Sequence, residues 1–253
     1  MGRRLPQPLI PLASALITGG TRGIGLAIAE RFAKDGLDVG LIYASDDAAA
    51  ERAASKIREQ TSVKVAVAKA DVADAEACKR AVKELEEALG GRVEVLVNNA
   101  GLVKDALFLF SDPAASAELM QVHLFGAMHM VRATLKGMIA KRSGCIINVV
   151  SPSAFRGRPG QTAYAAAKGA LLAFTTTLAQ EVGAAGVRVN ALLPGVIDTD
   201  MVRALPEAVQ TELRARIAME RFGKPEEVSA AAALLLRARY MHAAVLSVDG
   251  GLM

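Results

Sequence analysis

The 253-residue chain has no tryptophan, and aromatic residues make up only 4% of it. Proteins that grip single-stranded nucleic acid stack bases on aromatic side chains set among basic ones. Here no basic stripe is interleaved with aromatics and the net charge is only +4, so nucleic acid is a poor partner. Cysteine is scarce too. Cys78 and Cys145 are the only two, and they lack metal-ligand spacing. Cys145 opens an apolar run and reads as a small buried hydrophobe. Such sparing use of thiols fits a reducing, cytoplasmic compartment. Long apolar runs are missing as well. Residues 1–12 carry two arginines and three prolines, resembling neither a secretory leader nor a membrane span, and are expected to form a short arm. No internal repeat or low-complexity linker divides the rest.

What is present is a 52% hydrophobic chain with 22 glycines, enough for a single domain over residues 13–253. Apolar runs at 14–18, 38–43, 63–68, 93–97, 145–150, 187–192 and 244–248 read as strands, and Ala-rich runs such as 47–60 and 73–89 as helices. Strand-then-helix alternation predicts an α/β fold: a Rossmann-like, doubly wound parallel sheet of about seven strands with helices on both faces.

The first turn is chemically specific. After the apolar segment Ala15–Thr18 come Gly19, Gly23 and Gly25 in the pattern T-G-x-x-x-G-x-G, and then a helical apolar stripe of Ile24, Ile28, Ala29 and Phe32. Glycines let backbone approach a phosphate, and a helix N-terminus offers free N–H groups and positive potential to a pyrophosphate. The spacing differs from G-x-G-x-x-G, so that motif is not assigned.

A second constellation lies in the C-terminal half. Tyr164 and Lys168 are four residues apart in YAAAK, hence on one helix face, and Ser151 lies thirteen residues before the tyrosine. An ammonium beside a phenol favours phenolate and lowers its pKa. A serine hydroxyl can hold a carbonyl oxygen while the phenol transfers a proton and a cofactor moves hydride.

Taken together, these motifs resemble the short-chain dehydrogenase/reductase family from about Ala13 to Met253. TGGTRGIG (Thr18–Gly25, with Thr21, Arg22 and Ile24) matches the cofactor loop. NNAG (Asn98 to Gly101, with Ala100) matches the end of the fourth strand, and Ser151, Tyr164 and Lys168 match the catalytic trio. The segment from Asn190 to Pro194-Gly195 matches the part that closes over nicotinamide. GQTAYAAAKGAL, NALLPGVIDTDM and VLSVDGG are most similar to 3-oxoacyl-thioester reductases of fatty-acid and polyketide synthesis.

The resemblance implies that Ser151 polarises the substrate carbonyl, Tyr164 donates the proton, and Lys168 binds the nicotinamide ribose and lowers the tyrosine pKa. Ser153 is an alternative to Ser151, with spacing favouring Ser151. Asn98 and Gly101 would shape the cofactor cleft, Val196 and Thr199 would meet the carboxamide, and Asp71-Val72 would contact adenine. Asp71 could also simply cap the next helix. Tyr43 occupies the position where NAD enzymes carry an acid. Arg22 and Ser45 could instead hold a 2′-phosphate, so NADPH is the expected cofactor. Asp46 and Asp47 oppose this unless they begin the next helix.

Two departures stand out. Where relatives carry an asparagine that helps hold a proton-relaying water chain, this chain reads Val122-His123-Leu124. His123 could serve that relay, either neutral or changing charge near neutral pH, or could be a packed helix residue. Lys141 and Arg142 match part of a carrier-docking patch beside the active-site mouth, or form a solvated helix end. A second docking arginine is replaced by Ala185, so coenzyme A and carrier-protein thioesters both stay open. His129 and His242 read as structural or solvent-facing.

Residues 199–222 are expected to form a lid, amphipathic at helical spacing over 201–222. There Met201, Leu205, Val209, Leu213 and Ile217 would line an acyl channel or simply face the core. The family resemblance implies a homotetramer, with a dimer second. Two other activities compete: a dehydrogenase for a hydroxyacyl-CoA, sugar or cyclic alcohol, and a non-catalytic nucleotide-binding subunit.

Overall fold

Every predicted apolar run becomes a strand in the computed structural model, which describes residues 14–252; the proposed arm over 1–12 lies outside the described residues. The strands are β1 Ser14–Thr18, β2 Asp38–Tyr43, β3 Val65–Lys69, β4 Val95–Asn98, β5 Gly144–Val149, β6 Val187–Pro194 and β7 Val245–Val248. All pair in parallel in the order β3-β2-β1-β4-β5-β6-β7. β1 is flanked by β2 on one side and β4 on the other, so the order reverses there. Ligands of doubly wound sheets bind at the strand C-termini at such a reversal.

Because strand side chains alternate faces, one sequence feeds two cores. Ala15, Ile17, Val95 and Val97 pack with Ile28 and Phe32 of α1 (Gly23–Lys34), Ala53 and Ile57 of α2 (Asp47–Gln60), and Val228 and Leu235 of α9 (Pro225–Arg237). Leu16, Leu96 and Ile146 face the other way. They meet Cys78 and Leu85 of α3 (Ala75–Leu89), Met130 and Met138 of α5 (Gly126–Lys141), and Leu178 and Val182 of α6 (Thr162–Val182). Each fully buried Phe, Leu or Met side chain contributes about 1.5–3 kcal/mol. Cys145 is buried as expected, and burial raises its thiol pKa.

The helix carrying His123 is not uniform. α4 (Pro113–Met120) runs into α5 through a π turn over Gln121–Phe125. Such turns insert one residue into the α ladder and redirect the side chains they carry.

The expected lid helix is broken. α7 (Asp200–Arg203) and α8 (Glu207–Ala215) are separated at Pro206, whose ring cannot continue a helix, and the backbone turns through positive φ at Glu220. The apolar stripe therefore divides. Leu213 and Ile217 are buried, whereas Met201 and Val209 are exposed.

Among the described residues, no helix is long and apolar enough to cross a membrane.

Candidate active site

The turns that follow β1, β4, β5 and β6 converge at one end of the sheet, and each brings one of the sequence motifs with it. The turn after β1 is shaped by backbone. Gly19 and Gly23 have φ of +62° and +53°, conformations that L side chains rarely adopt. A Cβ at Gly25 would lie 2.2 Å from the Gly19 carbonyl oxygen, so this glycine lets α1 start against the turn. Arg22, the N-cap of α1, makes no side-chain capping bond, and the first turn holds no acid. The leading N–H groups are thus left for an anion, which fits a cofactor pyrophosphate. Thr199 closes the far side, its Cγ2 3.3 Å from where a Gly23 Cβ would be.

Thr18, not singled out from the sequence, ties this turn to the next motif. Its hydroxyl accepts from the N–H groups of Asn99 at 2.9 Å and Ala100 at 3.0 Å, while Asn99 Nδ2 donates to the carbonyls of Thr18 and Gly19. Asn98 is cross-strand neighbour to Asn148 and donates to its Oδ1 at 2.8 Å; Asn148 Nδ2 donates to Thr175 Oγ1 at 2.8 Å. Asn148 stands inside an apolar strand and Thr175 in a threonine run on α6, so only the packing of helix on sheet reveals the polar chain.

After β2, Asp46 caps α2 by accepting from Ala49 N–H at 2.8 Å. Asp47 pairs with Lys69 at 2.9 Å and accepts from Tyr43 Oη at 3.0 Å. Both acids thus serve the start of α2, and Lys69 is a cation that the sequence reading missed. Arg22 and Ser45 are both exposed. Asp71 does not cap α3: its carboxylate accepts from Ala73 N–H within a tight turn, and Asp74 is the cap. Val72 is buried against Gly126, and its carbonyl meets His129 Nδ1 at 3.0 Å. His129 is therefore structural, as is His242, whose Nε2 reaches the Ala179 carbonyl at 2.8 Å.

After β5, Ser151 Oγ accepts from Ser153 N–H at 3.2 Å. Lys168 is buried on α6, 5.9 Å from the Tyr164 ring centre, and donates to the Val149 carbonyl at 2.8 Å. Burial pulls its pKa down to about 7. Tyr164 does not follow the expectation of a lowered pKa. Burial raises it above the ordinary phenol value; a hydrogen bond with Ser151 pulls the other way, and the Asp105 charge adds to the rise.

His123 meets Tyr164 edge-on, ring centres 5.3 Å apart at 86°. Its Nε2 lies 2.8 Å from the Leu102 carbonyl oxygen and 3.4 Å from the Leu102 nitrogen; the carbonyl contact is the shorter, which assigns the proton to Nε2 and leaves Nδ1 as an acceptor. Burial and the Lys168 charge lower its pKa to about 3, outweighing the Leu102 bond. The expectation that it changes charge near neutral pH therefore fails. The ring also explains Gly101, since a Cβ there would sit 2.4 Å from His123 Cε1. His123 Nδ1 and Asn98 Oδ1 are both buried without a hydrogen-bond partner and line the same small cavity.

Pro194 and Gly195 end β6, with Gly195 packed against Asp249 and Val196 carbonyl accepting from Gly223 N–H. Lys141 and Arg142 are not at this end of the sheet. They precede Gly144, where β5 starts, so the length of the strand separates them from Ser151, on the order of 20 Å. Lys141 pairs with Glu94 at 2.7 Å, and Arg142 donates to the Ala184 carbonyl. Within one chain they cannot flank the active-site mouth.

The short chain dehydrogenase family model matches residues 13–210. The chain is 37% identical over 241 residues to a 3-oxoacyl-(acyl-carrier-protein) reductase of Chlamydia muridarum, covering 94% of this chain and 96% of that protein. It is 40% identical over 240 residues to an acetoacetyl-CoA reductase of Rhizobium meliloti, covering 94% and 97%. A solved structure of a mutant short-chain dehydrogenase/reductase of Serratia marcescens superposes with a TM-score of 0.90 at 32% identity, covering 97% of this chain and 99% of that one. The sheet order, the glycine turn and these likenesses agree: the chain belongs to the short-chain dehydrogenase family and is an oxidoreductase that uses a nicotinamide cofactor.

Proposed function

We propose that the protein reduces a 3-oxoacyl thioester, carried on coenzyme A or an acyl carrier protein, to the 3-hydroxyacyl thioester with NADPH. Relatives named for these two carriers support the substrate class. The observation that carries the chemistry is the cluster at Tyr164: its phenol is hydrogen-bonded to Ser151, with Lys168 5.9 Å from the ring centre and His123 edge-on against it. A neutral phenol is the form that can give a proton to a carbonyl oxygen.

When bound, the reduced nicotinamide supplies hydride to the carbonyl carbon. Ser151 donates to the carbonyl oxygen and holds it. Tyr164 transfers its hydroxyl proton to that oxygen as negative charge builds there. Lys168 orients the nicotinamide ribose, and its ammonium stabilises the phenolate left behind. Proton return passes by His123. Its Nδ1 and the Asn98 Oδ1 are two unpaired buried acceptors on residues that line a cavity of about 10 Å³, about the volume one water needs. His123 acts there as a fixed acceptor, not as a titrating base.

Gly19, Thr21, Gly23, Ile24 and Gly25 would hold the pyrophosphate, Asp71 and Val72 the adenine, and Asn98, Ala100 and Gly101 would shape the nicotinamide side of the cleft. Pro194, Gly195, Val196 and Thr199 close over it, with residues 199–222 as a lid. NADPH is favoured because Tyr43 stands where an acid would be needed, Asp46 and Asp47 are engaged at the start of α2, and the exposed Arg22 and Ser45 would be free to hold a 2′-phosphate.

Leu107, Phe108, Leu109 and Phe110 are exposed, the last three at 73%, 84% and 77%. So large an apolar patch supports association of identical chains, and a homotetramer is the proposed state.

The decisive assay follows oxidation of NADPH by acetoacetyl-CoA, with NADH in parallel. Turnover with NADPH and little with NADH is expected. Ketone-dependent oxidation confined to a sugar or cyclic ketone would overturn the substrate class.

A further inference from the structure

Two loops meet near Tyr164: the one after β4, carrying Asp105, and the one between β5 and α6, carrying Arg158 and Gln161. They are fastened by backbone, Ala106 N–H donating to the Gly160 carbonyl at 2.9 Å, and by an ion pair between Arg158 and Asp105. Gln161 Nε2 donates to both Asp105 oxygens, at 3.2 and 3.3 Å. A carboxylate only accepts, so it fixes which way the Gln161 amide faces. Oε1 must then point to Ser153, whose hydroxyl donates to it at 2.9 Å. The N–H of Ser153 donates to Ser151 Oγ at 3.2 Å.

The chain of bonds has one direction. Ser153 has given its hydroxyl proton to Gln161 and can offer only lone pairs elsewhere. Ser151 has accepted a bond from Ser153 and keeps its own proton, which it gives to Tyr164 here and would give to a substrate oxygen in the site. The two serines are equal by chemistry; spacing favours Ser151, and this network separates them physically.

We propose that Asp105 is a positioning residue that acts through Gln161 and Ser153 to leave Ser151 as the hydroxyl donor to the substrate oxygen, with Arg158 holding the carboxylate in place. This rests on Ser151 being that donor. The same carboxylate is one of four groups around the Tyr164 phenol, with Ser151 from the β5 loop, His123 from the π turn and Lys168 from α6.

The test compares Asp105→Ala, Asp105→Asn, Gln161→Leu and Ser151→Ala, using kcat and KM for acetoacetyl-CoA and the Kd of NADPH. Melting curves check that each variant folds. Asp105→Ala and Gln161→Leu should each lower kcat about tenfold, the worth of one hydrogen bond in the transition state, with the Kd of NADPH within about twofold of the parent. Asp105→Asn, whose amide oxygen still accepts from Gln161, should restore most of the kcat lost in Asp105→Ala. Its pH–rate profile should lose turnover at lower pH on the basic side, since the charge that helps keep Tyr164 protonated is gone.

Unchanged kcat in Asp105→Ala, or Asp105→Asn as slow as Asp105→Ala, would overturn the positioning role. Full activity in Ser151→Ala would instead overturn the reading on which it rests, so the two failures are distinguishable.

Discussion

The two ends of the site are built from different material. Around the turn after β1, the working surface is main chain: glycines at positive φ, uncapped N–H groups at the start of α1, and side chains removed so that backbone can come close. Around β4, β5 and α6, it is side chains: the buried Asn98, His123 and Lys168 and the half-buried Tyr164, each set by a neighbour on another element. A backbone site binds an anion by geometry and has few parts that a mutation can remove without moving the chain. A side-chain site can lose one atom and keep its shape, so it should separate binding from chemistry.

Tyr164→Phe tests that separation most strongly. Removing one oxygen should cost about 10²–10⁴-fold in kcat, the range for a lost general acid, while leaving the Kd of NADPH near the parent value. Retained turnover would erase the contrast.

At the other end, Arg22→Ala removes a charge without touching the glycines. It should raise the KM for NADPH roughly ten- to hundredfold, as expected for a lost charge-assisted bond, with little change in the KM for NADH. Equal effects on both would mean that Arg22 does not meet a 2′-phosphate.

The smallest effect concerns His123. Its folded pKa of about 3 lies below the ordinary 6.5, so its contribution to stability is full above pH 6.5 and is lost as pH falls toward 3. The loss approaches about 1.4 kcal/mol per pH unit for one linked proton. His123→Asn should flatten the acid limb of a urea-melt stability profile by that one proton. It should also keep most of the activity, whereas His123→Ala should slow turnover about tenfold if the ring anchors the relay. Full activity in both would leave His123 a packing residue.

The same contrast explains what could be read from the sequence. Glycines report backbone demands position by position, so the turn after β1 was legible. The strands were too, because apolar runs bounded by turns mark them directly: β1 and β2 match their expected limits and the rest lie within two residues. Tyr164 and Lys168 share a helix face, so their spacing sufficed.

Thr18, Asn148, Thr175, Asp105 and Gln161 matter through partners many residues away, and nothing local marks them. The placement of Lys141 and Arg142 failed for a related reason. Proximity in sequence to Ser151 hid the length of a whole strand between them. The single lid helix failed because helical periodicity outvoted Pro206. The lowered phenol pKa failed because a pairwise argument from Lys168 left out burial, which dominates both groups.

The π turn at Gln121–Phe125 makes the chain unevenly tolerant of changes in length. A π turn holds one residue more than the α turn it replaces, so losing a residue there would restore α pitch and leave α5 in phase with the sheet. Losing a residue inside α5 instead would turn everything beyond it by about 100° and swing Met138 out of its buried place. Single-residue deletions should accordingly survive selection for folding at 121–125 and fail at 130–138, making this short stretch a place where the protein's length can drift without its architecture.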